Sequence, residues 1–428
     1  MKGLLRRCAQ TAVLAGVLGL PTVYGFPSFT GQSVDPGQTA GRLHEDAIVV
    51  DGHVHITNRV YWEGIDPWQT QTTGSWDYAR AKQGGLDVAI AQVLIEDGYN
   101  NYNVAVKQAC RLIETFHRVL EANRDQMELA FSSADVRRIA ASGKLAVILA
   151  LEGGFDMEGD LDVLRLFHRL GVRLIQFTSH DTTNAYVDAG LGEQKWGGIT
   201  DHGRALVREM NRLGIIIDIA HASDAAQLQI IEASHAPVAA SHHGLRRFTQ
   251  HPRSISDEVL KALAAKGGVV GIHSNVWFLD QTWYEWWLAR PQAARPAPTL
   301  TPGLPNMFRS PDEDYGTYMA DLDAATRAAW VQGYTTPWKE KWPADAPPPL
   351  TEADWANSVD YAVKLVGADH VGIGLDMMDG GRNLHPNFDA TSYPRLTEAL
   401  VAKDLAPDVI RKVIGENWLR LLDSALNP

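Results

Sequence analysis

The chain has almost no cysteine. Of its 428 residues only Cys8 and Cys110 carry a thiol, which leaves no Cys-rich metal cluster to build. It also lacks positive charge: 51 Asp and Glu outnumber 39 Lys and Arg, a formal net charge of -12, so a nucleic-acid phosphate backbone has no basic face to meet. Long apolar runs are missing too. The longest, Thr11 to Leu20, is broken by Pro21 and is too short for a membrane span, which needs roughly 18 or more apolar residues. It follows Lys2, Arg6 and Arg7 and precedes small residues near Gly25. This pattern predicts a secretory leader over residues 1–25 and export to the periplasm or outside the cell after cleavage. The mature chain, from residue 26 onward, would then keep Cys110 alone, with no internal disulfide and no stable membrane span.

What is abundant is short apolar segments, the whole being 45% hydrophobic. Runs rich in Val, Ile and Ala recur at 48–56, 86–95, 145–154, 172–180, 214–223, 236–244, 268–274 and 370–380. Between them lie amphipathic stretches such as "GRALVREMNRLG" (203–214) and "DEVLKALAAKGG" (257–268), apolar at three- and four-residue spacing and closed by Gly. Continuously apolar strands alternating with helices predict a parallel sheet covered on both faces, and eight such units predict one closed (β/α)8 barrel over residues 26–428. A doubly wound open sheet is the alternative. One segment exceeds a minimal barrel: 275–355, after the seventh run, is Pro-rich and holds eight of the 13 Trp. It is expected to be an insertion over the carboxyl face, serving either as a lid or as a surface excursion whose aromatics pack on themselves or on a subunit in a homodimer.

The ends of the runs carry the chemistry. The first closes on "DGHVHI", with His53 and His55; others close on Glu152 ("LALEGG"), His180 ("QFTSH"), His221 ("DIAHAS"), His242 ("ASHHG") and Asp376 ("GLDMMDG"). In a barrel those ends converge on one face. Side chains two apart on a strand share a face, so His53 and His55 project together, and imidazole with carboxylate suits a borderline divalent ion such as zinc. A lone strand His is more often structural; so many strand ends of this kind together point to a metal site. His53, His55, Glu152, His221 and His242 are the expected ligands, and the economical arrangement is two zinc ions sharing Glu152. His243 should point away from His242, and His273 could reach the barrel mouth as an accessory group. The remaining histidines, among them His44, read as surface or capping residues.

These blocks, together with "LIQFTSHDTTNAY", "GGITDHGRALVREMNRLGIIIDIAHAS", "HPRSISDEVL" and "IGENWLRLL", resemble the membrane dipeptidase (renal dipeptidase) family of the amidohydrolase superfamily across nearly the whole mature chain. The resemblance implies that His53 and His55 hold the first metal, Glu152 bridges, and His221 and His242 hold the second. It also implies that His180 contacts the reacting carbonyl, that Arg253 grips the substrate carboxylate, and that Asp376 lies near the metal-bound water. The activity implied is hydrolysis of small dipeptides by a metal-bridging hydroxide, with Asp376 as the proton carrier. His55 departs from the family, which usually has Asp there. A neutral imidazole for a carboxylate adds about one positive charge, which further acidifies bound water and weakens retention of a second dication. Two other readings share the barrel: a hydrolase of N-acyl amino acids, lactones or cyclic amides, and an inactive exported metal-binding homologue.

Overall fold

The computed structural model describes residues 36–71, 74–95, 105–153, 159–178, 183–289, 345–377 and 388–426. Nine strands form one parallel sheet: β1 Val50–His55, β2 Val88–Leu94, β3 Met127–Leu129, β4 Leu145–Glu152, β5 Val172–Gln176, β6 Ile216–Asp218, β7 Ala239–His243, β8 Val269–Ile272 and β9 Val371–Ile373. The order runs β2-β1-β9-β8-β7-β6-β5-β4, and β4 pairs back onto β2, so eight strands close a TIM barrel. Each of the eight apolar runs contains one barrel strand. The open sheet is excluded by the β4–β2 pairing. The ninth strand, β3, pairs with only the first three residues of β4. At three residues it has no alternation long enough to be seen in sequence.

Helices flank the strands because the local signals agree with the packing. Helix Asp201–Leu213 starts where the Thr200 side chain accepts the Gly203 N–H and stops at Gly214, whose φ of 70° is left-handed; Leu206, Val207 and Met210 are its buried face. Helix Asp257–Ala265 is capped the same way by Ser256, and buries Val259, Leu260 and Leu263.

Alternate strand residues divide into two layers. Val88 and Ile90 of β2, Ile148 of β4 and Leu174 of β5 belong to an inner cluster, while their neighbours Ala89, Val147 and Ile175 join the larger layer beneath the helices. The last helix, Asn417–Leu426, contributes Trp418, Leu419, Leu421 and Leu422 to the inner cluster. The Trp418 indole donates to the Ile373 carbonyl at 2.9 Å. Gly52 and Gly372 make room for it, since a Cβ on either would overlap the ring. This helix is therefore the floor of the barrel.

Of the 275–355 segment, the two ends are described. Residues 276–279 and 281–288 are helical, Trp277 packs edge-on against Trp287 at 4.1 Å, and the Trp283 indole donates to the Pro348 carbonyl at 3.0 Å. Among these residues the aromatics pack on one another. His44 corrects its sequence reading: it is buried, with its ring nitrogens on Thr397 and on the Gly84 carbonyl. No helix among the described residues is long and apolar enough to cross a membrane.

Candidate metal centre

Two irregularities in the sheet aim the histidines. In β1, Asp51 pairs with Ala89 and Val54 with Ala91, so Gly52 and His53 together face the single residue Ile90. In β7, Ala240 pairs with Val270 and His243 with Ile272, so Ser241 and His242 face Gly271. Each is a β-bulge, which turns an extra side chain toward the barrel axis. His53 and His242 enter together, their ring centroids 3.7 Å apart and their planes tilted by 41°. Two further site residues hold a left-handed backbone: His221 has φ 67° and Asp376 has φ 51°, and among described non-glycine residues only Asp404 shares this. Such conformations persist where the surroundings over-determine them.

The expected ligands meet. His53 Nε2 is 3.0 Å from His55 Nε2, and Glu152 Oε2 lies 3.2 and 3.1 Å from these two atoms. On its other side Glu152 Oε1 is 3.1 Å from His221 Nε2, which is 3.0 Å from His242 Nε2. All five side chains are buried. Asp376, 17% exposed, places Oδ1 at 3.2 Å from His55 Nε2 and 3.5 Å from His53 Nε2, and its Oδ2 at 3.0 Å from His273 Nε2. Imidazole nitrogens and carboxylate oxygens thus crowd together at 3.0–3.5 Å. Ligands on a tetrahedral ion with bonds of about 2.0–2.1 Å sit roughly 3.3 Å apart, so the donor set fits a zinc-type cation in each half. Buried His55 Nδ1 has no protein hydrogen-bond partner.

The charges agree with that fit. Burial pushes the Glu152 carboxyl up, but His53, His221 and His55 more than offset it and hold it well below the usual carboxylate range. Burial likewise opposes charge on Asp376, and His273 and His55 overcome it. His55 is held well above the ordinary imidazole value: burial lowers it, and Asp376 with Glu152 outweighs that. The two carboxylates thus favour positive charge at this point. His242 goes the other way, lowered by burial and then by His53, and stays neutral as a ligand must.

Behind the donors lies a layer that sequence reasoning did not single out. Ser241 Oγ is 3.0 Å from His53 Nδ1 and 2.8 Å from His242 Nδ1, and donates to Asp218 Oδ2. Asp218 Oδ1 accepts the backbone N–H groups of Ser241 and Ala220 at 2.9 and 3.0 Å. The second of these bends the chain at the end of β6, three residues before His221. Burial raises the Asp218 carboxyl, and the Ser241 and Ala220 donors pull against it. The visible signal was the Asp in Asp-x-x-His at 218–221.

Arg253 is buried on the loop after β7, with Nη2 at 3.4 Å from the His242 carbonyl and its guanidinium 5.5 Å from the Phe278 ring centroid. Its imidazole neighbours stay neutral: His243 and His251 are both pushed down to about 3, by burial first and then by Arg253. His243 faces outward, its Nδ1 on the Arg253 carbonyl at 2.9 Å. His273 does reach the mouth. Its Nδ1 accepts the Asn275 N–H at 3.0 Å, which puts the ring proton on Nε2, 3.0 Å from Asp376 Oδ2. His180 lies outside the described residues.

Comparison with known proteins gives this arrangement a context. The sequence pattern of the membrane dipeptidase family, peptidase family M19, matches residues 37–427. The dipeptidase tcpJ of Claviceps purpurea is 27% identical over 404 residues, 90% of this chain and 78% of that one. The dipeptidase aclJ of Aspergillus oryzae is 28% identical over 82% of this chain and 69% of that one. Among solved structures, the probable dipeptidase PvdM of Pseudomonas aeruginosa superposes with a TM-score of 0.71 at 23% identity, covering 91% of this chain and 98% of that one. A metallo peptidase of Rhodobacter sphaeroides, solved with a phosphinate mimic of the dipeptide L-Ala-D-Ala, superposes with a TM-score of 0.68 at 21% identity, covering 89% of this chain and 100% of that one.

Proposed function

The chain belongs to the membrane dipeptidase family, a family of metallopeptidases, and from that premise we propose that it is an exported, zinc-dependent dipeptidase with two ions per subunit. The observation that carries the reading is the division of Glu152: Oε2 meets His53 and His55, and Oε1 meets His221, whose Nε2 lies 3.0 Å from that of His242. His53 and His55 would hold one ion, His221 and His242 the other, with Glu152 between. Bound there, the ions would acidify water toward pKa ~7 and polarise the scissile carbonyl.

The chain's own residues do the rest. Asp376 has His273 Nε2 at 3.0 Å from Oδ2 and His55 Nε2 at 3.2 Å from Oδ1, and in this reading it would take the proton of the attacking water and pass it to the leaving amine. Arg253 would bind the C-terminal carboxylate of the substrate through its planar fork, beside imidazoles that remain uncharged. His180 would donate to the oxygen of the reacting carbonyl. A dipeptide substrate is supported by the relatives' names and by the dipeptide mimic bound to the Rhodobacter sphaeroides protein. Export is supported by the leader pattern over residues 1–25.

Purified protein supplied with zinc is expected to hydrolyse L-Xaa-L-Xaa or L-Xaa-D-Xaa dipeptides. Turnover confined to N-acyl amino acids, lactones or cyclic amides, tested side by side, overturns the substrate class and keeps the metal centre.

A further inference from the structure

The Ser241 hydroxyl has one proton and touches three polar groups. Its partners are His53 Nδ1 at 3.0 Å, His242 Nδ1 at 2.8 Å and Asp218 Oδ2. Asp218 is fixed as an acceptor: Oδ1 already takes two backbone N–H groups, and Oδ2 faces the hydroxyl. A carboxylate has no proton to give, so the hydroxyl donates to it and its lone pairs must accept from both imidazoles. Both rings then carry their proton on Nδ1 and present a bare Nε2. Those two Nε2 atoms belong to different halves of the centre, His53 with His55 and Glu152, His242 with His221 and Glu152. His53, Asp218 and His242 also converge as a third group of metal-ligand type. The Ser241 hydroxyl bonds to all three of these residues, so that group is a hydrogen-bonded hub.

The geometry points to Ser241 and Asp218 as a shared positioning pair that sets the tautomer of one ligand in each half, so that the two ion sites are assembled as one unit. This rests on the metal-centre reading above. Partners behind a ligating histidine typically change metal affinity 10- to 100-fold when removed; here one hydroxyl stands behind two ions. Reversing the polarity has a different consequence. In Asp218→Asn an amide N–H facing the hydroxyl would free the Ser241 proton to point at one imidazole, which then places its own proton on Nε2 and ceases to be a ligand.

The test is zinc binding to metal-stripped protein, by competition with a chelating dye, with circular dichroism on each variant as a check of folding. Wild type is expected to bind two ions, Ser241→Ala to weaken both by about tenfold or more, Ser241→Thr to restore both, and Asp218→Asn to lose one ion selectively. The 15N spectrum of the imidazoles in zinc-loaded wild type gives a readout independent of any variant: His53 and His242 should both be protonated on Nδ1. Wild type that binds two ions while Ser241→Ala binds both within about threefold of it overturns the inference alone, as does an Nε2–H signal from either histidine. Wild type that takes up no zinc overturns the metal-centre reading and this inference with it.

Discussion

At the floor of the barrel, Trp418, Leu419 and Leu422 pack into one apolar cluster with Val50, Ile216 and Val269. At the mouth, two or three residues further along the same strands, the interior holds His53, Glu152, Asp218, Ser241, His242 and Asp376. Both ends are buried; only one is comfortable. The floor gains from burial in the ordinary way, by removing apolar area from water. The mouth buries carboxylates and imidazoles whose desolvation opposes folding, and tolerates them because each is bonded to the next. The bulges that carry His53 and His242 and the left-handed backbone at His221 and Asp376 lie at the mouth end, while a third register shift, at Arg173 near the start of β5, carries no site residue. Stability and chemistry are thus separated along the strand direction, and substitutions at the two ends should fail in different ways.

The sharpest break is Asp376→Asn. It should lower kcat by about 10²- to 10⁴-fold, the usual worth of a placed general acid–base, while zinc content and melting temperature hold. Unchanged hydrolysis would remove the assigned proton carrier. Trp418→Ala should do the reverse, costing roughly 3–5 kcal/mol in a denaturant melt and leaving kcat per folded molecule near wild type. A kcat loss larger than the folded fraction explains would mean the ends are coupled.

Smaller changes test the mouth itself. Arg253→Lys should raise KM for dipeptides by about ten- to hundredfold with little change in kcat, since an ammonium keeps the charge and loses the fork. His55→Asp should tighten the second zinc ion by about tenfold, because a carboxylate replaces an imidazole already drawn toward positive charge by Asp376 and Glu152. Dye competition measures it. The least effect is expected on the outer wall, at Glu209, whose carboxyl is pulled down to about 2 by Arg212 and Arg165. A depressed folded-state value means that this pair's stabilisation is present above the unfolded value near 4.5 and is lost as pH falls from 4.5 toward 2. The stability difference between wild type and Glu209→Gln, followed by thermal melts, should therefore vanish across that window while activity at neutral pH is untouched.

Much of this was legible in the chain because two periodicities and one composition bias are local. Each apolar run is long enough to declare a strand, the helices between them carry their own caps, and a histidine or carboxylate at a strand's end is visible wherever the end is visible. Ser241 and Asp218 were not legible as a hub, since serine and aspartate at strand ends are common and their meeting depends on β6 lying beside β7. His44 reads as a surface or capping residue in the sequence because one of the partners that hold its ring, Thr397, lies 353 positions away.

By itself, then, the amino-acid order determined a closed ring of alternating strands and helices and the kinds of donor at one rim, because those follow from patterns within a dozen residues. Only the tertiary structure decided that the strands carrying His53 and His242 each slip a residue, that Glu152 faces a different half of the donor set with each oxygen, and that one hydroxyl stands behind both. These are properties of distances between segments far apart in the chain, which come together only when the ring closes.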